Sequence, residues 1–195
     1  TSLRDPKGKI CPVEGRNVLE FVPLNDIPRT KKIAVLRVVV ADRPEKTNPR
    51  RVRWTIAGNL LDFDGDSTAK VVDLLTAKIH AHSVISTPGA RFMTLALSDF
   101  FLCSLLPEPE FVRIPLNMLP EQVIDSYNLR QLAVGGTVYA ILLKGMYGLK
   151  QAGRLAYDEL KDHLGPHGFV PVPHVAGLWK DTNSDLTFTL VVDDF

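Results

Sequence analysis

The chain of 195 residues, 45% hydrophobic and 23% charged with 13 Gly and 14 Pro, has the make-up of one globular domain or two small ones, which excludes a disordered or collagen-like polymer. Its longest nearly apolar stretch, residues 92–106, carries Asp99 and is too short to span a bilayer, and two cysteines, Cys11 and Cys103, are too few for a disulfide scaffold or a thiolate zinc site. The formal net charge of +1 hides a split: residues 1–53 hold 13 Lys and Arg against 6 Asp and Glu, a basic end suited to phosphate, while residues 54–195 hold 10 against 16.

Residues 1–31, with Pro6, Pro12, Pro23 and Pro28 and no sustained period, read as an irregular N-terminal segment apart from a short strand at Leu19–Val22. They lack the charged-then-apolar pattern of a secretory signal, so the expected location is intracellular, in cytoplasm or nucleus. Ile33 to Val40 is dense in β-branched residues and predicts a buried strand that Asp42-Arg43-Pro44 closes. In residues 51–57, Arg51 and Arg53 alternate with Val52, Trp54 and Ile56, which predicts a strand whose wet face carries both arginines.

Asp64-Gly65 marks a turn, and Ser67 is the expected N-cap of a helix through Val71, Val72, Leu75 and Ile79 that ends before Pro88-Gly89. Phe92 to Leu97 predicts a buried strand and Phe111 to Ile114 a short one. Pro120 opens a helix over Glu121 to Tyr127, and Gly135-Gly136 turns into a strand from Thr137 to Leu143. A helix over Gln151 to Leu164 lines up Leu155, Leu160 and Leu164, with Gly165 as its expected C-cap. The last strand, Thr187 to Val192, runs into Asp193-Asp194-Phe195. Strands and helices mix without a fixed repeat or a Gly-rich phosphate loop, so the fold class is α+β or α/β, and a dinucleotide fold or P-loop NTPase is unsupported.

Chemistry concentrates at few positions. Two adjacent carboxylates, Asp193 and Asp194, end an apolar strand; crowding like charges is costly unless a cation sits between them, although a polar turn explains the same residues without a ligand. His80 and His82, two apart on a helix, point about 200° from each other and make no metal pair. Nothing has the form of a nucleophile elbow, which argues against hydrolase chemistry.

The stretch Met146-Tyr147-Gly148-Leu149-Lys150-Gln151-Ala152-Gly153 before a helix, then Gly177-Leu178-Trp179-Lys180, then Leu190-Val191-Val192-Asp193-Asp194-Phe195, resembles the reverse transcriptases of copia-type LTR retrotransposons in order and spacing. Arg43-Pro44-Glu45-Lys46, Arg51-Val52-Arg53, residues 61–66, Ser86-Thr87-Pro88-Gly89-Ala90-Arg91-Phe92 and Glu110-Phe111-Val112-Arg113-Ile114-Pro115-Leu116 resemble the same family, so the likeness covers roughly residues 18–195.

The resemblance implies the fingers and part of the palm of a right-hand polymerase over residues 32–195, with an antiparallel palm sheet packed on helices. It implies RNA-directed DNA synthesis by two Mg²⁺ ions that activate the primer hydroxyl and stabilise the leaving pyrophosphate. Asp193 and Asp194 match the paired catalytic, metal-binding carboxylates. Ala96 stands where the family has its first metal-binding Asp, and Val191 stands where an aromatic precedes the pair. Phe101 matches the aromatic that blocks a ribose 2′-hydroxyl, Gln151 and Gly153 match nucleotide and template contacts, and Arg51 and Arg53 would reach the triphosphate.

The implied partners are an RNA or DNA primer–template and deoxynucleoside triphosphates, with no membrane, in a chain belonging to a larger polyprotein and stopping after the Asp-Asp hairpin. Because Ala96 removes a ligand from the Mg²⁺ site, the expected protein is a catalytically defective reverse transcriptase. The alternative is a non-catalytic nucleic-acid-binding remnant of the same element.

Overall fold

The computed structural model describes residues 17–45, 49–97 and 99–191. In chain order its strands are β1 (Leu19–Val22), β2 (Ile33–Asp42), β3 (Arg50–Ile56), β4 (Leu105–Pro115), β5 (Thr137–Lys144), β6 (Phe169–Pro171), β7 (Leu178–Asp181) and β8 (Thr187–Thr189). Its helices are α1 (Leu74–Ser86), α2 (Glu121–Ser126), α3 (Leu129–Leu132) and α4 (Ala152–Leu164). The class is α+β, and the described residues fall into two units, one from residues 17–65 and 101–152 and the other from residues 66–100 and 153–191. No helix among the described residues is long and apolar enough to cross a membrane.

The first unit is built on a five-stranded sheet in the order β1-β5-β4-β2-β3. All neighbours are antiparallel except β2 and β4, which run parallel over Ile33–Val35 and Phe111–Arg113. The sheet is therefore mixed rather than wholly antiparallel. Its centre follows from period-two alternation: Ala34 and Leu36, Val112 and Ile114, and Val138, Ala140 and Leu142 are all fully buried. On the other face, Val22, Ile27 and Phe111 form a second cluster with Ile33, Tyr139 and Ile141. Burying each large side chain contributes roughly 1.5–3 kcal/mol, so these central strands carry the stability of the unit.

Beyond its third residue β2 leaves β4 and continues only with β3 as a two-stranded ribbon. The expected buried strand is thus buried only at Ala34 and Leu36, while Val40 is 66% exposed. Residues facing each other across an antiparallel pair share a face, so the register places Arg37, Arg51 and Arg53 on one side of the ribbon. On the opposite side Ile56 is buried and Trp54 half-buried, but Val52 is exposed, because the ribbon has outrun the sheet that would cover it.

In the second unit β6, β7 and β8 form an antiparallel sheet. Fully buried Trp179 stacks on Phe188 at 5.6 Å and lies 5.9 Å from the Tyr157 ring of α4, with Leu160 and Leu164 packed against the same cluster. Arg154 ties α4 to Asp66 and Asp158, both at 2.6 Å.

Three expectations are corrected. Helix α1 starts at Leu74, not after Ser67: Asp73 is the N-cap and accepts from the Thr76 N–H at 2.9 Å. The residues before it cannot join the helix, because the Val72 N–H donates to the Leu190 carbonyl and Gly177 packs on the Val72 backbone without room for a Cβ. Residues 92–97 are not a buried strand. They are irregular and exposed, with Phe92 at 74% and only an isolated bridge at Ala96. The left-handed φ of 58° at Asp99 and the 3₁₀ turn Phe100–Leu102 end the run before it can extend, and a short apolar run by itself does not name its partner. Helix α4 ends at Leu164 as expected, but Gly165 is not its left-handed cap. A 3₁₀ turn continues through Gly165–His167, with Pro166 at its start, and Gly168 takes the left-handed turn at φ 91°.

Candidate nucleotide-facing site

The loop joining β5 to α4 is docked on the end of β3. The Ile56 N–H donates to the Tyr147 carbonyl at 2.7 Å. Gly148 has φ 95°, and a Cβ there would overlap the Ile56 carbonyl oxygen, while one on Gly58 would overlap the Gly148 oxygen. Two glycine backbones thus meet where no side chain fits. Buried Met146 and Leu149 peg the loop, the Gly145 N–H donates to the Ser104 carbonyl at 2.7 Å, and Lys150 Nζ reaches the Leu61 carbonyl at 3.3 Å.

This docking presents the Tyr147 ring to two other stretches of chain. Phe101 meets it edge-on at 5.1 Å and 89°, and the Arg53 guanidinium lies 5.7 Å from its centroid. An aromatic pair in that geometry adds about 0.5–1.5 kcal/mol, and a cation over a tyrosine face about 0.5–1 kcal/mol at an exposed site. Arg51 lies two residues along the same ribbon face, and Arg37 occupies that face on β2. No carboxylate among the described residues pairs with these three arginines. Lys31 and Lys32, by contrast, are held by Glu108 at 2.8 Å and Asp62 at 2.7 Å.

Gln151 is 6% exposed and turns inward, donating from Nε2 to Glu110 Oε1 at 3.2 Å. Desolvation pushes the Glu110 carboxyl above its ordinary range, with Glu108 and Asp62 pushing the same way and the Gln151 amide and Lys31 opposing. Gly153 lies in the first turn of α4, where the chain has entered the second unit. Of the residues singled out from sequence, the first unit brings Arg53 and Phe101 onto the Tyr147 ring, sets Arg51 on the same ribbon face as Arg53, and pairs Gln151 with Glu110. Asp193 and Asp194 lie outside the described residues.

Two participants escaped the sequence reading. Tyr147 carries the contact between Arg53 and Phe101, and its signal was its place just before a glycine in the densest motif. Arg37 joins the arginine face only through the β2–β3 register, although the period-two spacing of Arg51 and Arg53 announced that face.

Among the described residues no three His, Cys, Asp or Glu side chains gather to hold a metal ion; Ala96 carries only a methyl group, and Asp99 follows in a left-handed turn rather than on a strand. On α1, His80 Nε2 lies 2.9 Å from Thr187 Oγ1 and His82 Nδ1 3.1 Å from Ser86 Oγ. No family model matches the chain, and neither does any curated protein or any solved structure.

Proposed function

We propose that the chain is the fingers and part of the palm of a copia-type reverse transcriptase, an RNA-directed DNA polymerase, in a catalytically defective form that still grips nucleotide and primer–template. The observation that carries this reading is the docking of the loop Met146–Gln151 on the end of β3. Residues that the resemblance assigns to the incoming nucleotide come from separate stretches, and Phe101 and Arg53 meet on the Tyr147 ring. Arg37, Arg51 and Arg53 offer charge-assisted bonds to phosphate, and the edge-on contact with Tyr147 fixes the ring of Phe101, the residue the resemblance assigns to blocking a ribose 2′-hydroxyl.

Ala96 leaves the metal-binding set one carboxylate short, and the defect is assigned to that position. A second reading, a nucleic-acid-binding remnant without a nucleotide site, is favoured by the arginine face alone, which no carboxylate among the described residues pairs.

The test combines Mg²⁺-dependent primer extension with equilibrium binding of a deoxy- and a ribonucleoside triphosphate. We expect no extension and a preference for the deoxynucleotide of about tenfold, equivalent to roughly 1.4 kcal/mol, that disappears in Phe101→Ala. Equal affinity for both sugars in the wild type would refute the nucleotide site and leave the second reading. Primer–template binding indifferent to salt would remove both readings, and robust extension would refute the defect.

A further inference from the structure

The end of α4 sets two imidazoles side by side. His163, in its last turn, and His167, in the following 3₁₀ turn, are both exposed, with ring centroids 5.7 Å apart and planes tilted by 58°. Their backbone is pinned from both sides. Leu164 and Phe169 pack against the Trp179 cluster, Pro166 stiffens the turn between the histidines, and the Gly168 N–H closes on the Gly165 carbonyl at 2.9 Å. Only the side-chain torsions remain free. Among the described residues these two rings touch each other and take no hydrogen bond, whereas His80 and His82 are each engaged with a hydroxyl.

The spacing suits one class of ligand. A tetrahedral zinc ion binds imidazole nitrogen at ~2.0–2.1 Å, which puts it ~3.2 Å from each ring centroid and sets the two centroids ~5.2 Å apart. The observed pair comes within ~0.5 Å of that, a difference that small torsion changes absorb. A square-planar ion with adjacent imidazoles would need centroids at ~4.5 Å, more than twice the movement. The tilt matters as well, because imidazole lone pairs lie in the ring plane and stacked parallel rings cannot converge on one ion.

We propose that His163 and His167 form a two-histidine site for a tetrahedral divalent cation of the zinc type, with water in the two remaining positions. No third ligand stands with them among the described residues, so the site is open and exchangeable rather than a closed structural one. It lies in the second unit and does not depend on the polymerase reading.

The test titrates Zn²⁺ alone into the full chain by calorimetry at pH 7.5, where imidazole can ligate, with Co²⁺ absorption reporting tetrahedral geometry. His163→Gln and His167→Gln should each weaken binding by about tenfold or more, because either one removes the chelate. His174→Gln should leave the affinity unchanged. Zn²⁺ should also raise the Tm of the wild type but of neither single variant. Affinity within twofold of wild type in either variant, an equal loss in His174→Gln, or no Zn²⁺ binding by the wild type would overturn the proposal.

Discussion

Replacing Gly148 by alanine should pull the loop at residues 146–151 off the end of β3. Two costs combine. An L-residue held at φ 95° costs about 1–2 kcal/mol, as at any left-handed position. The new methyl would also sit 3.0 Å from the Ile56 nitrogen and closer still to its carbonyl oxygen. Relief requires the loop to move outward, which stretches the 2.7 Å bond from the Ile56 N–H to the Tyr147 carbonyl. Losing that bond costs about 0.5–1.5 kcal/mol, and partly uncovering Met146 and Leu149 adds about 1 kcal/mol more.

The total is about 2.5–4.5 kcal/mol. Gly135→Ala is the matched control: φ is 57°, but nothing lies within 4 Å of the added carbon, so only the backbone cost of about 1–2 kcal/mol applies. The difference of roughly 2 kcal/mol corresponds to about a 30-fold larger local opening constant. Hydrogen exchange of peptides covering residues 54–58 and 145–151 reads it directly. Triphosphate affinity should fall in Gly148→Ala and hold in Gly135→Ala, because Tyr147 no longer backs Arg53. Equal exchange in the two variants would refute the close-approach argument.

Trp179→Ala should cost about 3–5 kcal/mol in urea unfolding, as for other fully buried large residues. Trp179→Phe should cost far less than that, because the buried indole Nε1 has no hydrogen-bond partner among the described residues to lose. For Glu110 the folded carboxyl titrates above its ordinary 4.5, so its contribution is fully present below that value and lost as pH rises through the folded value. Glu110→Gln, which keeps an acceptor for Gln151, should therefore gain stability relative to wild type between pH 4 and pH 7, and a relative loss in urea midpoint would contradict this. Asp73 behaves oppositely: bonds from Thr76 hold its carboxyl below the ordinary 3.8, so its support of α1 is present above that value and lost as pH falls through the folded one. Asp73→Ala should speed exchange at residues 74–77 at pH 7, with the effect fading in acid. Reversing Arg51 and Arg53 to Glu should weaken primer–template binding and flatten its salt dependence, each lost phosphate contact removing about 0.9 from the slope against log salt for duplex DNA; an unchanged slope would count against the arginine face.

Much of the fold was legible because it is written locally. β-branched density located β2, period-two alternation located β3, the proline and glycine punctuation bounded α2 and β5, and the leucine spacing marked α4 to within a residue at its start. The mixture of strands and helices and the shared face of Arg51 and Arg53 followed from the same short-range rules. Turn and strand periodicities act over a few residues, so the chain states them by itself.

The tertiary structure decided what depends on distant partners. Residues 92–97 carry the apolarity of a strand but remain irregular, because burial needs a neighbouring surface that their own pattern does not specify. Ser67 looked like a cap, yet Asp73 took the role once Val72 had spent its N–H on Leu190. Nothing local in the sequence announces the bond from the Gln151 amide to Glu110, or the meeting of Arg53 and Phe101 on the Tyr147 ring. Each outcome turns on a hydrogen bond, a close backbone approach or a ring contact between residues far apart in sequence, and such contacts exist only after the sheet has brought the segments together.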